Sequence, residues 1–178
     1  MMGVKVGQPA GVTADTPAAS DCTVVAARAA QTLAWVDGRL GPLDIALDHL
    51  TLARCALYAA RLHARSPGSE AQDHTEAAVV GLRAAGHQYY LPCGLLTRAW
   101  LRHCLGDDPG ARADLDEVER IARRGGMRLH LADLHLTRAR LFGDRDELAK
   151  ARVLIEECEY FRRLGELEDA EAALSVNG

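Results

Sequence analysis

The sequence predicts an all-α protein, a right-handed superhelical stack of about three helical hairpins. The segment "LTRAWL" at 96–101 returns as "LTRARL" at 136–141, 40 residues later, and this period is typical of repeated helical hairpins. Ala, Leu and Arg are abundant while aromatic residues make up only 4 %, which favours helices packed through small side chains. Apolar residues also recur at three- and four-residue steps, as they do in amphipathic helices.

The first 20 residues precede the repeats. Their Gly, Pro, Ala, Ser and Thr content predicts a flexible leader over 1–20, without the apolar core of a signal peptide. The folded domain is then expected over 21–178. It begins with a helix at about 21–36, capped by Ser20 or Asp21.

Three repeats follow, at about 43–85, 91–125 and 129–163, with a weaker first copy marked by "LARCAL" at 52–57. The predicted first helices are 43–63, 91–105 and 129–142, and the second helices are 71–85, 110–124 and 146–162. Glycine and proline divide them, at Gly41-Pro42, Pro67-Gly68, Gly86, 106–109 and Gly125-Gly126.

The faces of these helices agree with the division. The second helices carry single apolar stripes, which are Ala111, Leu115, Val118 and Ala122, and then Ala151, Ile155, Cys158 and Phe161. First helices such as 91–105 are apolar nearly all round, as expected when both neighbours pack on them. An acidic helix at 165–175, with Leu167, Ala170 and Leu174 on one face, is predicted to cap the stack.

Composition limits the function. Hydrophobic residues make up 48 % and the formal charge is −4, which indicates a folded protein without a nucleic-acid partner. The apolar runs fall short of the roughly 20 residues of a membrane span. Five scattered cysteines without a C-x-x-C pair predict reduced thiols and a cytoplasmic location. The sequence has no P-loop motif, and no cofactor is expected.

The spacing of small residues around Gly106, with Ala99 before it and Ala111 after it, resembles that of the tetratricopeptide-repeat superfamily. The segments "AAVVGLRAAGHQYYLPCGLLTRAW" and "IEECEYFRRLGELEDAEAAL" resemble the degenerate carboxy-terminal repeat arms of bacterial STAND-type signalling ATPases. The resemblance covers about 77–174 and implies a surface that binds a protein or peptide. It departs from the family at Arg98 and Arg102, where the repeat pattern has a large apolar residue and an aromatic one.

Two sets of candidate binding residues follow from the repeats. Arg54, Arg98 and Arg138 recur at equivalent positions, and this arginine ladder would either hold a carboxylate-rich peptide or brace the stack through acids such as Asp114 or Asp116. In the register of the family, the inner groove would be lined by His49, Cys93, Leu96, Trp100, His103, Asp133, Leu136 and Arg140. Trp100 is then either a hot spot for a peptide or an ordinary core residue.

One motif has spacing that invites a metal. His130 and Asp133 share a helical face, but His135 lies about 140° round from His130, so the three predict no metal site. Four arginines, Arg120, Arg123, Arg124 and Arg128, would contact an anion or simply place cations at a helix end. No catalytic residue is predicted.

The sequence therefore predicts a non-enzymatic protein- or peptide-binding module, the sensor or interaction arm of a bacterial signalling assembly. One alternative is a self-associating scaffold, a homodimer in which the apolar first helices are hidden. Another is a metal-dependent hydrolase that uses His130, Asp133 and His135.

Overall fold

A computed structural model describes residues 17–35 and 40–176, and within these residues it contains helices and no strand. The helices are α1 (Pro17–Ala34), α2 (Pro42–Leu62), α3 (Ser69–Ala85), α4 (Leu91–Cys104), α5 (Asp108–Arg124), α6 (Arg128–Phe142), α7 (Arg145–Glu157) and α8 (Leu164–Val176), with a 3-10 turn at Phe161–Arg163 before α8. The all-α prediction is confirmed.

Helices that are adjacent in sequence pack on one another. The three tightest pairs are α2 with α3, α4 with α5, and α6 with α7, which are the three predicted helix pairs. Each pair contacts the next, through α3 on α4 and α5 on α6, and the first helices also meet, α2 with α4 and α4 with α6. At the two ends, α1 packs on α2, and α8 packs on α6 and α7.

The predicted apolar stripes form the core. Ala111, Leu115, Val118 and Ala122 of α5 are completely buried, together with Leu95 and Ala99 of α4. Much of the apolar surface of α4 is thus buried within the chain. Gly81 of α3 lets α2 come close, because an added Cβ would lie 2.8 Å from the Cβ of Ala46.

The end of α7 corrects the prediction of a helix to residue 162. The helix ends at Glu157, because the Tyr160 N–H donates to the Ile155 carbonyl at 2.8 Å and the Glu159 N–H donates to the Glu156 carbonyl. These two bonds form a Schellman motif, with Glu159 in the left-handed region at a φ of 52°. The turn buries Tyr160 and leaves Phe161 56 % exposed, so the prediction that Phe161 continues the buried stripe is wrong.

The start of α1 differs in the same way. The helix begins at Pro17, so Ser20 and Asp21 lie within it and do not cap it. Proline suits a first helical turn, where its missing N–H has no partner to lose. Residues 1–16 of the predicted leader and the predicted helix end at 36 lie outside the described residues.

The helix predicted at 165–175 is α8. Its Leu167 and Ala170 are buried, and Leu174 packs against the same cluster beside α6 and α7. Among the described helices, none is long and apolar enough to cross a membrane.

Candidate binding surface

An aromatic pair lies at the surface where α2 meets α4. The rings of Tyr58 and Trp100 meet edge to face, with centroids 5.0 Å apart and an interplanar angle of 61°. Tyr58 is 49 % exposed, while Trp100 is partly buried and packs beside Leu57, Ala71 and Leu101. Part of the Trp100 side chain therefore packs in this small cluster, and the residue stays partly exposed beside Tyr58.

Arg54 lies one turn before Tyr58 on α2. Its Nε donates to the Thr97 hydroxyl at 3.0 Å, and one Nη donates to the Cys93 carbonyl at 3.3 Å. Thr97 in turn lies one turn before Trp100 on α4. We call Arg54, Tyr58, Thr97 and Trp100 the α2–α4 patch. A guanidinium has five N–H donors, and Arg54, which is exposed, directs none of them to a carboxylate of the described residues.

The second ladder arginine is differently placed. Arg98 binds the buried carboxylate of Asp114 through two parallel hydrogen bonds, of 3.0 and 2.8 Å, and contacts Glu76 at 3.2 Å. Arg102 adds a third bond to Asp114, at 2.9 Å. The pairing with Asp114 raises the pKa of Arg98. This guanidinium joins α3, α4 and α5.

The third ladder arginine also pairs with acids of other helices. Arg138 of α6 binds Asp116 at 2.7 Å and Glu119 at 2.6 Å, both on α5, and it lies 3.6 Å from Glu147 of α7. Burial alone would lower the pKa of Arg138, but the nearby carboxylates of Glu119, Glu147 and Asp116 together outweigh it, so the pKa is raised. Arg98 and Arg138 thus make the contacts of the bracing interpretation, and Arg54 does not.

The predicted groove residues on α2 and α4 mostly contact neighbouring parts of the chain. Leu96 and Cys93 pack partly buried against the core, and His49 turns toward α3, where its Nδ1 lies 2.9 Å from the Nδ1 of His74. His103 contacts Asp108 at 2.7 Å. Its ring meets Phe142 edge to face, at 5.6 Å.

On α6 the predicted groove positions contact other parts of the chain, although the Arg140 side chain stays 48 % exposed. Asp133 is buried, with its carboxylate bound by Arg163 at 2.7 Å and by the Tyr160 hydroxyl at 3.3 Å. Arg140 binds Glu166 at 3.1 Å. The segment that follows α7 therefore occupies part of this face, whereas Arg54 and Tyr58 of the α2–α4 patch stay exposed.

The metal-like motif does not converge. The His130 ring packs on Tyr89 with centroids 4.8 Å apart, and burial lowers its pKa. Asp133 faces Arg163, and the Nδ1 of His135 lies 2.6 Å from Glu147. Across the part of the chain that the structure describes, no group of three or more His, Cys, Asp or Glu side chains is arranged to hold a metal ion.

The thiols and the basic cluster have ordinary surroundings. Burial raises the pKa of the Cys93 and Cys104 thiols, the opposite of the shift that activates a nucleophile. All five cysteines are free. In the basic cluster, Arg123 pairs with Glu119, Arg124 with Gln88, and Arg128 with Glu157.

Sequence reasoning missed two features. Tyr58 was not among the groove candidates, although its position four residues after Arg54 places it on the same face of α2.

A cleft of about 320 Å³ lies among Arg112, Asp116, Arg138, Phe142, Asp144 and Glu147. Five of these six side chains are charged, whereas small-molecule sites have mainly apolar linings.

Comparison with known proteins gives no relative: no protein-family model, no curated protein and no solved structure matches the chain.

Proposed function

We propose that the chain is a peptide-binding module and that the α2–α4 patch is the centre of its binding surface. The ligand is a protein segment that carries a carboxylate next to an apolar or aromatic side chain. The carboxylate binds the Arg54 guanidinium, and the apolar side chain packs on Tyr58 and Trp100. The observation that carries the proposal is the aromatic pair of the exposed Tyr58 and the partly buried Trp100, beside an arginine with no acidic partner among the described residues.

The chemistry of the patch supports this ligand. Arg54 is held in place by Thr97 and Cys93, so a carboxylate binds it with little further loss of side-chain entropy. Trp, Tyr and Arg are the residue types that dominate binding energy at protein interfaces. The rings of Tyr58 and Trp100 already pack against each other.

The neighbouring surface limits the length of the site. Asp133 and Arg140 on α6 are bound by Arg163 and Glu166 of the chain itself. The ligand therefore lies along α2 and α4, and a ladder of three arginines does not hold it. Arg98 and Arg138 contribute to binding only by keeping the helices in place.

The wider role follows from the resemblance. Three helix pairs at a repeat of about 40 residues, in a right-handed superhelix, would present α2 and α4 on an extended surface. We place such a module in the cytoplasm, as the interaction arm of a bacterial signalling assembly. The repeat and the packing of successive first helices support this role.

A displayed library of random peptides tests the proposal directly. Wild-type protein should enrich peptides that combine Asp or Glu with an apolar residue. A labelled enriched peptide should then bind Trp100→Ala about 30-fold more weakly, as expected for the loss of about 2 kcal/mol at a hot spot. Arg54→Ala should weaken the same peptide and relax the preference for acidic residues.

The matched control is Trp35→Ala, because Trp35 is the other tryptophan and is 66 % exposed. It should leave the affinity unchanged, and circular dichroism should show all three variants folded. If no acidic peptides are enriched, or if Trp35→Ala weakens binding as much as Trp100→Ala, the patch is not the binding surface.

A further inference from the structure

Helix α1 has an exposed face that no other described element covers. Asp21, Val24, Val25 and Arg28 stand at i, i+3, i+4 and i+7 and therefore lie on one side of the helix. Val24 is 54 % exposed and Val25 is 45 % exposed, and Asp21 and Arg28 are exposed as well. A neighbouring side, which carries the buried Ala29, packs on α2. We call these four residues the α1 face.

The α1 face is complementary to itself. Asp21 and Arg28 are the only charged residues of α1, and they lie at equal distances on either side of the Val24–Val25 pair. Neither forms an ion pair with another residue in the described ranges, 17–35 and 40–176. If two α1 helices cross in antiparallel orientation with a two-fold axis between Val24 and Val25, each Asp21 meets an Arg28 and the valines meet in the middle.

We propose that the α1 face docks a second copy of this chain, as an antiparallel α1–α1 pair. A two-fold interface uses the same patch on both copies, so contacts of the type i to j and j to i are required. The antiparallel pairing meets this requirement twice, once with each charge pair. A parallel pairing would instead place Asp21 against Asp21 and Arg28 against Arg28.

The contact between two α1 helices is small. A helix of 18 residues is about 27 Å long, so one pair of such helices falls at the small end of specific interfaces, below roughly 1,200 Å². A reversible dimer with a dissociation constant in the micromolar range is expected. The α2–α4 patch takes no part in it, so the dimer and the peptide-binding function can be tested separately.

Sedimentation equilibrium of the full chain, at low salt and over a range of concentrations, tests the proposal. Wild type should move from a 19.2 kDa monomer toward twice that mass as the concentration rises. Val25→Glu should remove the dimer, because the two-fold axis places two buried carboxylates together. The matched control is Val80→Glu on α3, where the valine is 56 % exposed, and it should leave the dimer unchanged.

Charge reversal identifies the orientation without relying on an apolar variant. Asp21→Arg and Arg28→Asp should each weaken self-association by about tenfold or more, since each places like charges together twice. An equimolar mixture of the two variants should associate again. In the mixed dimer the arginine introduced at position 21 of one chain faces the aspartate introduced at position 28 of the other, so opposite charges meet at both ends of the contact.

Three results would overturn the proposal. The first is a wild-type chain that stays monomeric at every concentration, which includes the case in which residues 1–16 of the same chain cover the face. The second is a dimer that Val80→Glu weakens as much as Val25→Glu does. The third is a mixture of the charge variants that associates no better than either alone.

Discussion

Asp114 is the residue whose replacement should affect folding most clearly. Its side chain is only 4 % exposed and receives hydrogen bonds from Arg98, which is 13 % exposed, and from Arg102, which is 31 % exposed. Asp114→Ala leaves the Arg98 guanidinium largely buried without this partner. Breaking a fully buried pair costs about 3–5 kcal/mol.

The cost here should be about 2–4 kcal/mol, because Arg98 keeps Glu76, whose side chain is 60 % exposed, and Arg102 can turn to solvent. This loss is a large part of the roughly 5–15 kcal/mol that stabilises a typical domain. Urea denaturation followed by circular dichroism measures it as a lower midpoint at an unchanged slope.

Two further variants test whether the buried Asp114–Arg98 pair braces the helices. The double variant Arg98→Met, Asp114→Leu should recover most of the loss, because a buried pair can be replaced by apolar side chains without a large penalty. Arg83→Ala removes a more exposed pair with Glu117, in which the arginine is 44 % exposed, and should cost under about 1 kcal/mol. If Asp114→Ala costs no more than Arg83→Ala, the buried pair does not brace the helices.

Three further predictions concern local features. Glu159→Gly should stabilise the protein by about 1 kcal/mol, because glycine adopts the left-handed conformation without strain, and the thermal midpoint should rise by roughly 2–4 °C. Gly81→Ala should destabilise it by about 1–3 kcal/mol in urea, since the new methyl group overlaps Ala46. Burial and the facing His74 lower the pKa of His49 from 6.5, so the unfolded chain binds more protons than the folded chain. The free energy of unfolding should therefore fall as the pH drops below about 6.5. His49→Gln should flatten this dependence of the unfolding free energy on pH.

The sequence was sufficient for the helix ends that glycine marks. Gly86, for example, ends α3 in the left-handed conformation, as its position predicts. The end of α7 could not be predicted in this way, because Glu159 occupies the position that glycine usually fills. The turn there is held by local backbone hydrogen bonds and by the burial of Tyr160, and this burial depends on the neighbouring α6 and α8.

The candidate site was less predictable for a related reason. Periodicity placed Arg54, Arg98 and Arg138 at equivalent positions. The side chain that each arginine binds, however, depends on which residues the facing helix presents. Asp114 is available to Arg98 across the α4–α5 pair, whereas Arg54 meets the hydroxyl of Thr97. The repeat register thus predicts the helical position of each arginine, and it does not predict which side chain the arginine contacts.

The guanidinium of Arg98 has a consequence for how the protein loses its structure. It belongs to the second helix pair, yet it also holds Glu76 of the first, while Arg83 of the first pair holds Glu117 of the second. Opening either pair alone would break these bonds and expose the apolar core that α2, α3, α4 and α5 share, so the two pairs are coupled. Amide hydrogens of α3, α4 and α5 should therefore exchange with deuterium together, as one cooperative unit, and not one pair at a time.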